Sequence, residues 1–504
     1  MQNMGEAPAT YEALLAAYQG LQAQIFLLTE ELSRLKRLIA GSKRERFIAI
    51  ENSQQIALGL IPEADEDPNT VQTEEVTYTR HKPKPKFTPH GRNPLPAHLP
   101  RKEIIIEPQQ DTSNMKRIGE EVTEELEYKP GALYVNRYVR PKYARPDGDG
   151  VLIGILPVRP VEKGKLGPGF LANLAISKYV DHLPLYRQRK QLLRQQVNLP
   201  ASTLGDAIAA TCELLMPLHE LQRGIVLQAD YLMVDETGIR VQESQTKGKC
   251  HHGYFWVYYD PLQPIAFFDY RQTRARAGPE EMLADFSGYL QTDGYQGYDE
   301  FGAREQVIHV ACFAHARRYF TDAVPNDAAR AEWMLLRIQK LYALERQARE
   351  SAFTHELRYQ LRQAEALPVL AEMRQWLETE REKVVPKSAI GKAVAYMLKY
   401  WHRLNVYTTS GMLEIDNNLV ENAIRPVALG RKNYLFAGSH DGARRAALIY
   451  SLVITAQLHG HEPFGYLREV IARLPGHPHK RLAELLPQNW RSTDNIEIKS
   501  DSPI

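Results

Sequence analysis

The first forty residues carry apolar side chains at alternating steps of four and three positions, which is the heptad pattern of a coiled coil. Such a seam predicts self-association, although the same pattern also suits an amphipathic helix packed on its own protein. We expect residues 1–50 to contain this oligomerisation helix, with Gly41 ending it. The seam positions expected to meet a partner helix are Leu14, Leu21, Ile25, Leu28, Leu32 and Leu35.

A basic cluster and a linker are predicted next. Lys43, Arg44 and Arg46 suit either a phosphate contact or a solvated face. Residues 51–100 are acidic at first and then alternate lysine with proline, a composition that disfavours helix and predicts an extended linker. Its basic end can lie along DNA by counterion release, although basic linkers without such a role are also common.

Two small modules are predicted before the main core. Residues 101–150 suggest a β-rich module with short strands at 103–107 and Leu133–Val139, and residues 151–223 turn helical. Within the helical part, Tyr186–Arg194 and the stretch from Ala201 predict two helices joined by a short turn. That arrangement suits a helix-turn-helix DNA reader, or equally a helical bundle whose exposed face is basic. The candidate DNA contacts in it are Arg187, Arg189 and Lys190.

Residues 224–325 alternate short apolar segments with turns, which predicts a sheet. The predicted order is three strands, a helix, a strand, a helix and a strand. This order is typical of an RNase H-like fold, here a mixed sheet flanked by helices. The predicted segments are Tyr231–Asp235, Gly253–Tyr259, Ile265–Tyr270, a helix near Pro279–Phe286, Tyr289–Asp293 and Val307–Ala311.

The chain from 326 to 384 is rich in Glu, Arg, Ala, Leu and Gln, which predicts a helical insertion. The second half of the core would follow at 385–470, and 471–504 would be a C-terminal tail. Packing, or positioning of DNA or a partner subunit, would each explain the insertion. The predicted fold class is therefore multidomain α/β.

Three carboxylates stand out within this core. Asp235 ends the first apolar run, Asp293 closes a later strand, and Glu421 lies on a helix far along the chain. Adjacent parallel strands would bring the two aspartates side by side. Like charges repel, so three converging carboxylates imply a bound cation, and oxygen ligands favour Mg²⁺ or Mn²⁺. Two such ions support in-line phosphoryl displacement, whereas each carboxylate taken singly has an ordinary structural explanation.

The surroundings of these residues refine the assignment. Asp416 or Asn417 is a good N-cap, so Glu421 should project from the first turns of a helix that Pro426 restricts. Glu236 follows Asp235 in the same strand and should point to the opposite face, so we do not count it as a ligand.

The bulk properties limit the class of protein. The chain has 504 residues, 43% of them hydrophobic, which is ample for several cores. A net charge of +2 gives little hint of a polyanionic partner. Three widely spaced cysteines indicate a reducing compartment. Because neither a signal pattern nor a run of eighteen apolar residues is present, we expect a cytoplasmic protein.

Long ordered motifs surround the three carboxylates. They are Val234–Thr237, Thr292–Tyr298, His309–Arg318, Asp416–Pro426 and Gly430–Ser439. In order and spacing they resemble the insertion sequence 66 family of bacterial transposases, and the resemblance extends from the N-terminal heptads to about Leu467.

The resemblance implies that Asp235, Asp293 and Glu421 are the catalytic and metal-binding DDE set of an RNase H-like domain, with two Mg²⁺ or Mn²⁺ ions per active site. It implies metal-dependent cleavage at the ends of an insertion sequence and transfer of the freed 3′-hydroxyl into target DNA. The expected partners are the element's terminal repeats, target DNA, further copies of the chain and helper proteins of the same element, at the bacterial nucleoid. A metal-dependent endonuclease without strand transfer, or an inactive DNA-binding derivative, would share many of these features.

The resemblance also raises the question of zinc. The family's module at 101–150 usually carries paired cysteines that bind zinc, but Cys212, Cys250 and Cys312 all lie outside it. We therefore predict no zinc and leave DNA binding by this module open. His309, Cys312 and His315 have the right ligand types, yet no fourth ligand lies nearby, so we expect a buried Cys312 instead.

Basic residues near the motifs are candidates for a phosphate-lined groove, although surface ion pairs would also explain them. They are Arg317, Arg318, Arg425, Arg431 and Lys432.

Overall fold

The computed structural model describes residues 131, 133–136, 142–144, 151–153, 158–161, 164–242 and 249–492. The chain forms two compact units, residues 1–155 and 156–504. The predicted coiled-coil seam, the basic cluster Lys43, Arg44 and Arg46, and the linker 51–100 lie outside the described residues. So do the predicted strand at 103–107 and the end of the chain beyond 492.

The described part of the first unit contains two short strands, β1 (Lys142–Ala144) and β2 (Val151–Ile153), which pair antiparallel. The strand predicted at Leu133–Val139 is wrong for its described part, Leu133–Asn136, which is irregular. There Tyr134 is 82% and Val135 91% exposed. Their apolar side chains find no face to bury, and burial is what makes such residues favour strands.

The second unit is built on a five-stranded mixed sheet. Its strands are β3 (Tyr231–Gln242), β4 (Cys250–Asp260), β5 (Ile265–Arg271), β6 (Gly288–Thr292) and β7 (Val307–Ala311). The spatial order is β5-β4-β3-β6-β7, with the β3–β4 and β4–β5 pairs antiparallel and the β3–β6 and β6–β7 pairs parallel. The predicted aromatic meander and the later strands are confirmed, and so is a mixed sheet flanked by helices. The helix expected between the last two strands is wrong, because two 3₁₀ turns, Gln296–Tyr298 and Phe301–Ala303, join β6 to β7.

The central strand β3 is buried on both faces, since Tyr231 to Val234 have no exposed surface. Side chains alternate across the sheet. Tyr231 and Met233 therefore join the large core beneath the helices, while Leu232 and Val234 join a smaller cluster on the other face. That second cluster includes Trp256 and the turn aromatics after β6.

In the described residues, three helices precede the sheet: α1 (Pro168–Tyr179), α2 (Leu185–Arg194) and α3 (Ala201–Val226). The predicted pair joined by a short turn corresponds to α2 and α3. A shorter helix, α4 (Ala277–Met282), lies between β5 and β6, beginning two residues before the predicted Pro279 and ending before Phe286.

Helices dominate the chain after β7. α5 (Phe313–Ala323) follows it directly. The next group, which we call the insertion helices, comprises α6 (Ala328–Glu350), α7 (His355–Leu361), a π-helical turn (Arg362–Ala366) and α8 (Leu367–Arg381). The last helices are α9 (Ala389–Asn405), α10 (Asn418–Gly430), α11 (His440–Leu458) and α12 (Pro463–Arg473).

One helix boundary differs from the prediction. Pro426 lies inside α10, which continues to Gly430. Proline lacks the N–H that a helix interior uses and disturbs the preceding turn. Here Ile424 and Val427 on either side are buried in the core, and their burial favours the helical path through the proline.

The segment predicted as a C-terminal tail is folded as far as it is described. After α12 the chain makes two 3₁₀ turns, Leu474–Gly476 and His479–Leu485, and buries Leu482, Leu486 and Trp490 in the main core. Throughout the described ranges, every helix is too short or too polar to cross a lipid bilayer.

Candidate active site

Asp235 sits in the middle of β3, opposite Val257 on β4. It lies on the same face as Tyr231 and Met233, and its side chain is partly buried. The Oδ1 atom accepts a hydrogen bond of 2.8 Å from the backbone N–H of Glu236. The carboxylate is therefore fixed on the central strand of the sheet.

Asp293 follows the last residue of β6, which runs parallel to β3. The register pairs Tyr231 with Tyr289 and Met233 with Gln291. Asp235 and Asp293 each lie two residues beyond the Met233–Gln291 pair, and the negative charge of Asp293 acts on Asp235. Asp293 also shapes its own turn, because its Oδ1 accepts from the backbone N–H of Tyr295 at 2.9 Å.

Gly294 permits a close approach to the helix behind this turn. A Cβ at this position would lie 2.6 Å from the hydroxyl oxygen of Tyr396 on α9. The carbonyl of Gly294 accepts a 3.0 Å hydrogen bond from the Tyr400 hydroxyl on the same helix. The turn that carries Asp293 is thus held directly on α9.

Glu421 is in the first turn of α10, and its side chain is 12% exposed. The N-cap position is Asn417, but its side chain makes no capping bond. Instead, Asp416 accepts from the backbone N–H of Asn418 at 3.1 Å. The predicted position of Glu421 in the first turns of a helix is confirmed, with Asp416 supplying the stabilising oxygen from one residue earlier.

Asp235, Asp293 and Glu421, here called the carboxylate cluster, are close enough to act on one another electrostatically. Burial raises the pKa of Asp235 well above its usual range, and the negative charges of Glu236, Asp293 and Glu421 raise it further. Burial also raises the pKa of Glu421, Arg318 lowers it, and Asp416 and Asp293 raise it. Residues from β3, from the end of β6 and from α10 therefore repel one another within a single partly buried site.

A divalent cation would relieve this repulsion, and an all-oxygen donor set is the kind that Mg²⁺ and Mn²⁺ prefer. The chemistry of the three residues therefore fits such a metal. As the side chains stand, no group of three His, Cys, Asp or Glu side chains among the described residues is gathered tightly enough to hold an ion. One oxygen of Asp235 and one of Asp293 are instead turned toward neighbouring backbone N–H groups.

The chain also matches models of known protein families. A family model described as "Transposase IS66 family" matches residues 163–445, which include all three carboxylates. The chain belongs to the IS66 transposase family. Further models match residues 451–488 (IS66 C-terminal element), 27–104 (Transposase C of IS166 homeodomain) and 110–144 (zinc-finger binding domain of transposase IS66).

Relatives of similar length carry the resemblance along nearly the whole chain. Uncharacterized protein y4hP of Sinorhizobium fredii (strain NBRC 101917 / NGR234) is 30% identical over 503 residues, covering 93% of this chain and 89% of the relative. Uncharacterized protein y4jD of the same organism is 30% identical over 507 residues, covering 96% and 98%.

The stretch that matches the IS66 zinc-finger model contains no cysteine. Cys212 and Cys312 are buried in the second unit, and Cys250 is exposed at the start of β4. The sequence of this family member thus lacks thiolate ligands where the family model carries a zinc finger, and the absence of zinc stays a prediction.

The His309, Cys312 and His315 group is not arranged as a zinc site. His309 shares a 2.7 Å hydrogen bond with the Thr292 hydroxyl, and the Cys312 sulfur accepts from the backbone N–H of Asn417 at 3.2 Å. His315 instead approaches the carboxylate cluster, with its Nε2 atom 4.0 Å from Glu421. Burial lowers the pKa of His315, whereas the charge of Asp293 raises it. The predicted burial of Cys312 is confirmed.

Glu236 has a role that the sequence reasoning missed. Its side chain is only 4% exposed and pairs with Arg274, whose guanidinium also lies 4.0 Å from the ring of Tyr295. The Tyr298 hydroxyl donates to the same carboxylate at 3.1 Å. Tyr298 belongs to the smaller core, so Glu236 points away from the Asp235 face as predicted, yet its charge still acts on Asp235.

The candidate DNA contacts in the described residues differ in accessibility. Arg318 is exposed beside Glu421, and Arg425 and Lys432 are exposed on and after α10. Arg317 and Arg431 are partly buried, and Arg431 donates to the carbonyl of Gly238. On α2, Arg187 and Lys190 are exposed, while Arg189 donates to the carbonyl of Leu199 at 3.2 Å.

Proposed function

We propose that this IS66 family member is a DDE transposase that cleaves DNA at the ends of an insertion sequence and joins the freed 3′ ends to target DNA. Asp235, Asp293 and Glu421 are its catalytic carboxylates. The observation that carries the proposal is their convergence, from three elements distant in sequence, into one cluster of mutually repelling charges.

The sheet supports an RNase H-like assignment for this domain. The strands β3, β4 and β5 form an antiparallel meander. On the other side of β3, β6 pairs parallel with β3 and β7 pairs parallel with β6. This arrangement places an aspartate on the central strand next to an aspartate at the end of the adjacent parallel strand. A helix from the second half of the chain then brings the glutamate.

Each residue has a distinct task in the proposed mechanism. Asp235, Asp293 and Glu421 would hold two Mg²⁺ or Mn²⁺ ions, and such ions would supply positive charge to activate a water or 3′-hydroxyl nucleophile and to stabilise the departing oxygen. Backbone N–H groups orient Asp235 and Asp293. Arg318, whose charge lowers the pKa of Glu421, would supply positive charge for a scissile or flanking phosphate.

The assembly proposed for this reaction is a dimer or larger synapse. The heptads at residues 11–39 would join the copies, so that two element ends meet. The exposed cations of α2 and those near α10 would contact the DNA backbone, which carries charge but no base sequence.

The decisive experiment compares wild type with Asp235→Asn on DNA that carries the flanking element's end, with Mg²⁺, Mn²⁺ or chelator. Asp230→Asn is the matched control, because Asp230 is exposed, precedes β3 and lies outside the cluster. We expect joined products that require both the metal and Asp235, with Asp230→Asn behaving as wild type. Metal-dependent nicking without joining would reduce the function to an endonuclease. DNA binding without chemistry in wild type would indicate an inactive binder.

A further inference from the structure

Four consecutive residues, Glu414–Asn417, connect the insertion helices to every element that carries a carboxylate of the site. We call Glu414–Asn417 the joint segment. We propose that the insertion helices position Glu421 through this segment, with Arg358 as the principal positioning residue. The inference rests on the proposed function, because it assigns the insertion a part in building that same metal site.

The contact begins in a buried charge cluster inside the insertion helices. Arg362 has no exposed surface, and its guanidinium pairs with Glu345 through two hydrogen bonds of 2.8 Å. Arg358 donates to the same carboxylate at 2.8 Å. Burial alone would raise the pKa of Glu345, but the two guanidinium groups bring it below its usual value, so this carboxylate stays charged.

Both arginines lie on one face of the helical segment because they are four residues apart. Arg358 is in α7, and Arg362 is the first residue of the π-helical turn. They also bind the backbone of the loop that follows α9. Arg362 donates to the carbonyls of Tyr407, Ser410 and Leu413 at 2.6, 2.6 and 2.7 Å. Arg358 donates to the carbonyl of Gly411 at 3.3 Å.

Gly411 shows how closely this loop packs on the insertion helices. A Cβ at this position would overlap the carbonyl oxygen of His355, the first residue of α7. The His355 ring also bonds the carbonyl of Gly411, with its Nδ1 atom 3.2 Å away. The insertion helices therefore fix the shape of the loop leading into the joint segment.

Glu414 links the insertion helices to β3, which carries Asp235, and to β6, which Asp293 follows. Its carboxylate receives two hydrogen bonds of 2.8 Å from Arg358. Its backbone N–H donates to the hydroxyl of Tyr231 at 3.1 Å, and its carbonyl accepts from the side-chain amide of Gln291 at 3.1 Å. Tyr231 lies four residues before Asp235, Gln291 lies two residues before Asp293, and the two side chains bond each other.

The rest of the joint segment binds the remaining elements. The carbonyl of Ile415 accepts from the N–H of Phe313 at the start of α5. The backbone N–H of Asn417 donates to Cys312, and its side-chain amide donates to the carbonyl of Val234. One turn of α10 later comes Glu421. A shift of Glu414 would therefore change the spacing between Glu421 and both aspartates.

Two variants break this series of hydrogen bonds at different points. Arg358→Gln removes the hydrogen-bonded charged link on the insertion side and leaves the longer Arg349–Glu414 contact of 3.8 Å. Tyr231→Phe deletes a single hydroxyl on the sheet side. The matched control is Arg337→Gln, which breaks an ion pair with Glu372 in the insertion helices that is not part of the contacts to the joint segment. If Arg358→Gln does not fold, Tyr231→Phe still tests the inference.

The readouts are hydrogen exchange in peptides covering 410–421, Mn²⁺ affinity measured by titration of the full-length protein, and joining activity as a function of metal concentration. We expect both variants to exchange faster in these peptides and to bind Mn²⁺ about tenfold more weakly, the effect typical of residues that orient metal ligands. DNA affinity should be unchanged, and Arg337→Gln should match wild type.

The inference is overturned if folded Arg358→Gln and Tyr231→Phe keep wild-type exchange and Mn²⁺ affinity. It is also overturned if Arg337→Gln weakens Mn²⁺ binding equally, since the insertion would then act only through general stability. Failure of the proposed function has a different signature. Wild type would then bind Mn²⁺ in an Asp235-dependent way without cleaving DNA, and the exchange and affinity comparisons would still decide the positioning role.

Discussion

The side-chain amide of Asn417 donates a hydrogen bond of 3.2 Å to the backbone carbonyl of Val234, across 183 positions of sequence. Val234 is the residue before Asp235, and Asn417 lies one helical turn before Glu421. Asn417 has no exposed surface. A single buried amide thus ties the strand that carries Asp235 to the helix that carries Glu421.

Asn417→Ala should lower the free energy of unfolding by about 1–3 kcal/mol, because the carbonyl of Val234 loses a buried donor. Cleavage should fall as well. The measurement is denaturant unfolding together with single-turnover cleavage. Asn418→Ala is the control, since the Asn418 amide bonds only Asp416 in its own turn at 2.7 Å. Equal losses in the two variants would argue against a special role for Asn417.

The sheet was predictable because its signals are local. Strand periodicity and the turn after Asp293 depend on neighbouring residues, and they predicted Val307–Ala311 to the residue. The placement of Asp293 at the end of β6 and of Glu421 in the first turn of a helix followed from the same kind of signal.

The remaining features depend on partners distant in sequence. The charged composition of the insertion predicted helices, but nothing local marks Glu345, Arg358 and Arg362 as a buried cluster. Asn417 reads as a helix cap, and its actual acceptor lies on β3. Helix propensity predicts that the helix ends near Pro426, because propensity does not include the burial of neighbouring residues in the core. That burial stabilises the helix on both sides of the proline.

Glu421→Gln tests the third carboxylate. The amide keeps the shape of the side chain but removes the charge that a divalent cation requires, so cleavage should fall at least about 100-fold, the upper range for residues that only support a metal ligand. Folding and DNA affinity should stay near wild type. Glu305→Gln, at an exposed position before β7, is the control. Unchanged single-turnover cleavage by Glu421→Gln would remove this residue from the proposed site.

We expect the burial of His219 to make the stability of the second unit depend on pH. It stacks on Phe267 with ring centroids 4.5 Å apart, and its Nε2 atom is buried without a hydrogen-bond partner. Burial lowers its pKa from 6.5 to about 4. Since the folded protein resists protonation of this ring, stability should start to fall as the pH drops below about 6.5 and stop falling below about 4, by on the order of 3 kcal/mol.

His219→Leu should therefore weaken the loss of melting temperature between pH 7.5 and pH 4.5, whatever its effect at neutral pH. Thermal unfolding at a series of pH values measures this slope. His402→Gln, at an exposed position on α9, should leave the slope unchanged. A wild-type slope in His219→Leu would show that other groups, such as the buried His309, cause the acid sensitivity.

The basic helix α2 is expected to bind the DNA backbone. It contains four cations and no acidic residue, and Lys190 lies 4.6 Å from the ring of exposed Tyr186. Removing one cation that neutralises a phosphate should reduce the slope of log affinity against log salt by about 0.9. Replacing Arg187 and Lys190 with Gln should therefore weaken binding to all sequences alike and flatten the slope by up to about two units, measured by fluorescence anisotropy.

Lys387→Gln is the matched control for this helix, because Lys387 is an exposed cation next to the insertion helices. Because this substitution removes one cation and the α2 variant removes two, a flattening about half as large would show that the charge effect is general and that α2 is not a DNA contact. If only the α2 variant changes the slope and the change is the same on element ends and on unrelated DNA, α2 holds the backbone and sequence recognition lies elsewhere in the chain. A weakening confined to element ends would instead make α2 a base reader, the helix-turn-helix alternative.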